Sequence, residues 1–177
     1  MAEIAQVLVR QGGRYAVIGA MAAAVHGLVR ASVDADALVP LQLREARTLL
    51  QALTDAGYVA ELRVGDPDDP IPALLEVQDR YGNRVDLLIG LRGMDPEVLD
   101  RTRQVTLAGS VLEVVGREDF IAMKAFAGGP VDIADAKAIV EADPGALDLA
   151  LLRRVARRFG DDTARRVESL LGTPGQG

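Results

Sequence analysis

Ile4, Val7 and Leu8 recur at helical spacing, and Gly12-Gly13 stops that helix before Tyr15-Ala-Val-Ile18, a β-branched run that predicts a short buried strand. Gly19 turns the chain into an alanine-rich helix over Met21 to Val25, closed by His26-Gly27. Ser32 to Val39 then alternates as a strand, with Val33, Ala35, Ala37 and Val39 on one side and Asp34, Asp36 and Leu38 on the other. The two acids therefore face one way. Ala46, Leu49, Leu50 and Leu53 predict an amphipathic helix over Gln42 to Ala56 with Gly57 as its C-cap, and Tyr58 to Val64 returns to strand character.

Gly65-Asp-Pro-Asp-Asp-Pro70 reads as a loop, and Ala73 to Asp79 with Arg84 to Ile89 predicts a β-hairpin turning at Tyr81-Gly-Asn83, its register open by about one residue. A second hairpin is expected where Val105 to Leu107 and Val111 to Val115 flank Ala108-Gly-Ser110. After Gly116 the pattern is helical: Glu118 to Phe126, Val131 to Ala142, Leu147 to Phe159 and Asp161 to Leu171. The expected fold class is α+β, with a head of mixed strands over residues 1–116 and a helical C-terminal region over 117–177 packed on it as one unit.

Composition narrows the chemistry. The 177 residues contain no cysteine and one histidine, His26, which excludes disulfides, thiolate metal sites and any zinc site needing two imidazoles. A net charge of −6 argues against nonspecific binding to duplex DNA, and 3% aromatic residues with no tryptophan leave no platform for stacking single-stranded bases. No apolar run reaches the roughly 18 residues of a membrane span, and the acid at Glu3 is unlike a secretory leader, so a cytoplasmic protein is expected.

Catalysis is left to carboxylates, lysines, arginines or hydroxyls, and the carboxylates form the sharpest pattern. Asp34 and Asp36, two apart on one strand face, place their Cα atoms about 6.5 to 7 Å apart, a spacing from which both side chains reach paired divalent ions. Asp86, in the apolar run Arg84-Val-Asp86-Leu-Leu-Ile, supplies a third acid if its strand pairs alongside. Oxygen ligands alone suit magnesium or manganese. The alternative is two solvated acids on the wet face of an edge strand. Asp66, Asp68 and Asp69 read as a solvated loop. Arg153, Arg154, Arg157 and Arg158 read either as a solvated helix face or as a site for RNA or an acidic partner.

Tyr15-Ala-Val-Ile-Gly-Ala20, His26-Gly27, Arg30, Ser32, Asp34 and Asp36 together resemble the polymerase-β-like nucleotidyltransferase superfamily. The likeness is closest to the minimal bacterial nucleotidyltransferases related to AbiEii-type toxins. Glu118-Asp-Phe-Ile-Ala-Met-Lys124 and Val131-Asp132-Ile-Ala-Asp135 are similar to later helices of that family, so the resemblance covers about residues 14 to 142. It implies a nucleotidyltransferase-like mixed sheet flanked by helices. It also implies magnesium-dependent transfer of a nucleoside monophosphate from a nucleoside triphosphate to a hydroxyl of RNA, protein or a small molecule. Under it Asp34, Asp36 and Asp86 are the metal-binding and catalytic acids, Asp86 being the one that activates the acceptor, and Gly19 and Ala20 form the phosphate turn. Arg30 either contacts a phosphate or pairs with Asp34. Ser32 keeps the hydroxyl of the usual threonine, Lys124 meets a phosphate unless it is a plain helix-surface lysine, and Asp132 lines the same cleft. Ala20 stands where the family has a second glycine or a serine, which raises the alternative of a turnover-deficient binding module acting as a toxin or antitoxin component or a regulator.

Overall fold

A computed structural model of the chain describes residues 1–28, 34–107 and 109–172. Seven strands, β1 (Ala16–Ile18), β2 (Ala35–Val39), β3 (Val59–Val64), β4 (Ala73–Gln78), β5 (Arg84–Ile89), β6 (Arg103–Leu107) and β7 (Ser110–Val114), form one mixed sheet in the order β3-β4-β5-β2-β1-β7-β6. β2 runs parallel to β5 and β1 parallel to β7, and the other neighbours are antiparallel. The helices are α1 (Ala2–Arg10), α2 (Gly19–Val25), α3 (Leu43–Asp55), α4 (Arg117–Ala127), α5 (Pro130–Ala142), α6 (Leu149–Arg158) and α7 (Asp161–Leu170). This is the α+β fold expected, a mixed sheet with flanking helices and a helical C-terminal third. Among the described residues no helix is long and apolar enough to cross a membrane.

Period-two patterning decides the sheet. Ala73, Leu75 and Val77 of β4 and Val85, Leu87 and Ile89 of β5 are buried on one face, and α3 with α1 closes over it through Leu8, Leu49 and Leu53. The opposite face carries a cross-strand row, Ile18, Asp36, Asp86, Glu76 and Glu61, in register across β1, β2, β5, β4 and β3. The next row on that face is Ala16, Leu38, Leu88, Leu74 and Arg63. The hairpin register left open by the pattern is Gln78 opposite Arg84, with Gly82 at φ +84° and the Asp79 carboxylate accepting from the amides of Tyr81 and Asn83.

Several boundaries differ from the pattern. β2 begins at Ala35, and Ser32 and Val33 lie outside the described residues. Ala56 caps α3, and Gly57 follows it at φ +89°. The helix expected from Leu147 starts at Leu149, because the Asp148 carboxylate accepts from the Leu151 amide while its own amide donates to Glu118. A single-turn 3₁₀ helix over Pro96–Asp100, capped by Asp95, was hidden because its apolar residues are too few to show a period.

Candidate functional site

β1 ends at Ile18 opposite Asp36, and the chain turns into α2 through Gly19 at φ +62°. A Cβ on Gly19 would overlap the Asp36 carboxylate, so both the dihedral and the space demand glycine there. Ala20 lies in the first turn of α2, so the left-handed position of this turn falls on Gly19 and the methyl of Ala20 stays on a helix.

Asp36 is half-buried and Asp34 exposed. Burial raises the Asp36 carboxyl above its ordinary range, repulsion from Asp86 and Asp34 adds to this, and Lys124 and Arg84 oppose it. Asp86 sits one strand over from Asp36, in register, but the Arg84 fork holds it through Nε to Oδ1 at 2.9 Å and a second nitrogen to Oδ2 at 3.1 Å. The same guanidinium reaches Glu76 at 2.9 Å, and Glu76 pairs with Arg63 at 3.0 Å. Sequence reading missed Glu76 and the role of Arg84. The signal was the alternation Leu74, Glu76, Gln78, which places Glu76 beside Asp86 once the hairpin register is known.

Lys124 projects from α4 to Asp132 at 2.7 Å and Asp135 at 3.0 Å, both on α5. Burial alone would lower its ammonium, yet these two carboxylates leave it raised. It is 18% exposed, which removes the plain surface-lysine alternative. Arg30, like Ser32, lies outside the described residues. Asp34, Asp36 and Asp86 do not assemble into a ready cage: among the described residues no three His, Cys, Asp or Glu side chains are arranged to hold a metal. Asp86 is already satisfied by Arg84.

Gly19, Asp36, Lys124 and Asp132 edge a cavity of about 320 Å³ between the sheet and α4. At the rim of this cavity, Asp69 accepts from the Ile71 amide and so shapes the turn that carries Ile71. Arg153 pairs with Glu168, Arg154 with Asp95, and Arg158 donates to the Met94 carbonyl, so three of the four C-terminal arginines have partners within the chain.

No family model matches the sequence, and no curated protein matches it. Solved structures do resemble it in shape. The antibiotic-resistance factor ANT(2'')-Ia, studied in solution, is 14% identical with a TM-score of 0.60, covering 95% of this chain and 91% of that one. An antigenic nucleotidyltransferase-like protein from Paracoccidioides brasiliensis is 17% identical with a TM-score of 0.53, covering 96% and 89%. The lincosamide antibiotic adenylyltransferase LnuA, lincomycin-bound, is 15% identical with a TM-score of 0.50, covering 77% and 92%. At these identities the likeness is one of fold, and the fold shared is that of nucleotidyltransferases.

Proposed function

We propose that this chain is a magnesium- or manganese-dependent nucleotidyltransferase that moves a nucleoside monophosphate from a nucleoside triphosphate to an acceptor hydroxyl. The observation that carries this reading is the fit of Gly19 against the Asp36 carboxylate, beside Asp86 and at the edge of a cavity that also meets Lys124. A half-buried acid whose carboxyl is raised by burial and by two neighbouring acids is a group a divalent cation would stabilise, so the donor set fits such an ion with Asp34 and Asp36 as its ligands. When bound, the cation would neutralise charge on the phosphates and the attacking oxygen.

The remaining steps belong to the chain's own groups. Gly19 lets backbone approach the phosphates without a side chain in the way, and Ala20 follows it in the first turn of α2. Lys124, oriented by Asp132 and Asp135, presents its charge to a phosphate oxygen. The acceptor oxygen attacks the α-phosphorus, the bond to pyrophosphate breaks, and the hydroxyl proton passes to the Asp86 carboxylate. Arg84 holds the Asp86 carboxylate in place through two hydrogen bonds.

The hold of Arg84 on Asp86 also favours a second reading, a nucleotide-binding module with little turnover that serves as a toxin or antitoxin component or a regulator. Replacing Asp34→Asn together with Asp36→Asn tests the shared premise. The double variant should unfold at the same or a higher temperature without metal, because like charges are removed, and should lose the stabilisation wild type gains from ATP with magnesium. Loss of stability in the metal-free variant, or an undiminished response to ATP with magnesium, would assign these acids a structural role. Transfer of labelled nucleotide by wild type separates enzyme from module.

A further inference from the structure

The cavity beside Asp36 is lined mainly by apolar side chains. Asp36, Lys124 and Asp132 are its charged members, and Ile71, Leu88, Leu91, Phe120, Met123 and Phe126 are among the apolar ones. Lys124 is held by Asp132 and Asp135, and the apolar residues of the lining carry no charge of their own.

Strand order gives the cavity a direction. Crossing the sheet from β1 through β2 to β5, one passes from the Gly19 turn to Asp36 and then to β5, where Leu88 follows Asp86 two residues later on the same face. In-line displacement sets the attacking and leaving oxygens on opposite sides of phosphorus. With the leaving pyrophosphate toward Gly19, the acceptor arrives from the β5 side, where Leu88 and Leu91 stand.

Resting on the function proposed above, we infer that this apolar lining seats the acceptor. The acceptor class is a compact small molecule with a largely apolar body, at most one positive charge and a hydroxyl presented toward Asp86. A polyamine suits the place poorly: of the acids in the lining, Asp132 is held by Lys124 and Asp36 belongs to the proposed cation, nearby Asp86 and Glu76 are compensated by Arg84 and Arg63, and ammonium groups buried against leucine and phenylalanine would stay unpaired. A volume of about 320 Å³ is at the small end of small-molecule clefts, which suits a compact acceptor.

Calorimetric titration of the full chain, loaded with magnesium and a non-hydrolysable ATP analogue, tests this. The probes are lincomycin, an amphipathic hydroxyl compound with one basic nitrogen, and tobramycin, a polyamine. Wild type should bind lincomycin at least about tenfold more tightly than tobramycin. Ile71→Trp, which fills the cavity from a loop position, should weaken lincomycin by about tenfold or more while analogue binding stays within about twofold. Retained analogue binding also reports that the variant is folded. A second variant, Ile71→Glu, places a carboxylate in the wall and should shift preference toward tobramycin.

Equal or tighter binding of tobramycin by wild type, no binding of either probe, or lincomycin binding indifferent to Ile71→Trp would overturn the acceptor assignment. An Ile71→Trp effect on the analogue alone would overturn it too, by giving the cavity to the nucleotide. Absence of analogue binding to wild type is a different failure, since it overturns the nucleotidyltransferase reading itself.

Discussion

Gly19 answers two demands at once, a positive φ and empty space for the Asp36 carboxylate. Gly19→Ala should therefore cost about 1 to 2 kcal/mol for the left-handed backbone alone. Displacement of Asp36 adds to this, so thermal unfolding should shift down and nucleotide binding with magnesium should weaken together. An unshifted melting temperature would show that the turn relaxes freely. His26 is constrained differently. Its Nε2 is 2.9 Å from the Val115 carbonyl, which only accepts, so Nε2 carries the proton, and the buried Nδ1 has no partner among the described residues. Burial holds its pKa below the ordinary 6.5, with Arg103 and Arg117 pushing the same way and the Val115 carbonyl and Glu118 opposing. Above pH 6.5 the imidazole is neutral folded and unfolded, so it adds no pH dependence; as pH falls below 6.5 the unfolded chain gains a proton that the folded chain refuses, and stability drops. His26→Gln keeps a donor for Val115 and should flatten the melting-temperature change between pH 7 and pH 5.5. Equal slopes for both proteins would show that His26 is not the group responsible.

Helix, strand and hairpin identities were legible from periodicity because β4 and β5 have one wet and one buried face, and α3 has a single apolar stripe. The pairing of Asp36 with Asp86 was only half legible. Alternation gave each acid its face, while the parallel registration of β2 on β5 depends on a crossover that no local pattern encodes. The partners of those acids were illegible for the same reason, since Arg84 meets Glu76 only through a cross-strand register. Joining between elements was hidden most completely. Arg101, just after the Pro96–Asp100 turn, holds Asp119 of α4 through two hydrogen bonds of 2.7 and 3.0 Å, and Asp95 at the start of that turn takes Arg154 of α6 at 2.9 Å. Asp119 and Asp95 are both buried at 2% exposure. Arg101→Met would strand Asp119 without its counter-charge and should destabilise the fold by about 3 kcal/mol, measured by urea unfolding. A loss below about 1 kcal/mol would mean that water reaches Asp119 and replaces the arginine.

At the scale of the whole molecule, the C-terminal helices complete the site. Lys124 and Asp132 come from α4 and α5, Asp36 and Gly19 from the sheet, and the ring of Phe120 on α4 stands 5.7 Å from that of His26. Residues 1–116 therefore contain only part of the cavity wall. β1 meets β7 in parallel at Val17 and Val114, nearly a hundred residues apart in the chain, and α4 begins directly beyond β7. Closing so long a stretch of chain carries an entropic cost that the β3, β4 and β5 hairpins do not bear. Refolding should then be ordered in time: the hairpin sheet forms early, and the β1–β7 closure that sets α4 against the Gly19 turn comes late. In stopped-flow refolding, binding of a fluorescent ATP analogue should lag behind the far-ultraviolet dichroism signal, so that a newly made chain becomes competent for nucleotide only when β1 and β7, far apart in sequence, have paired.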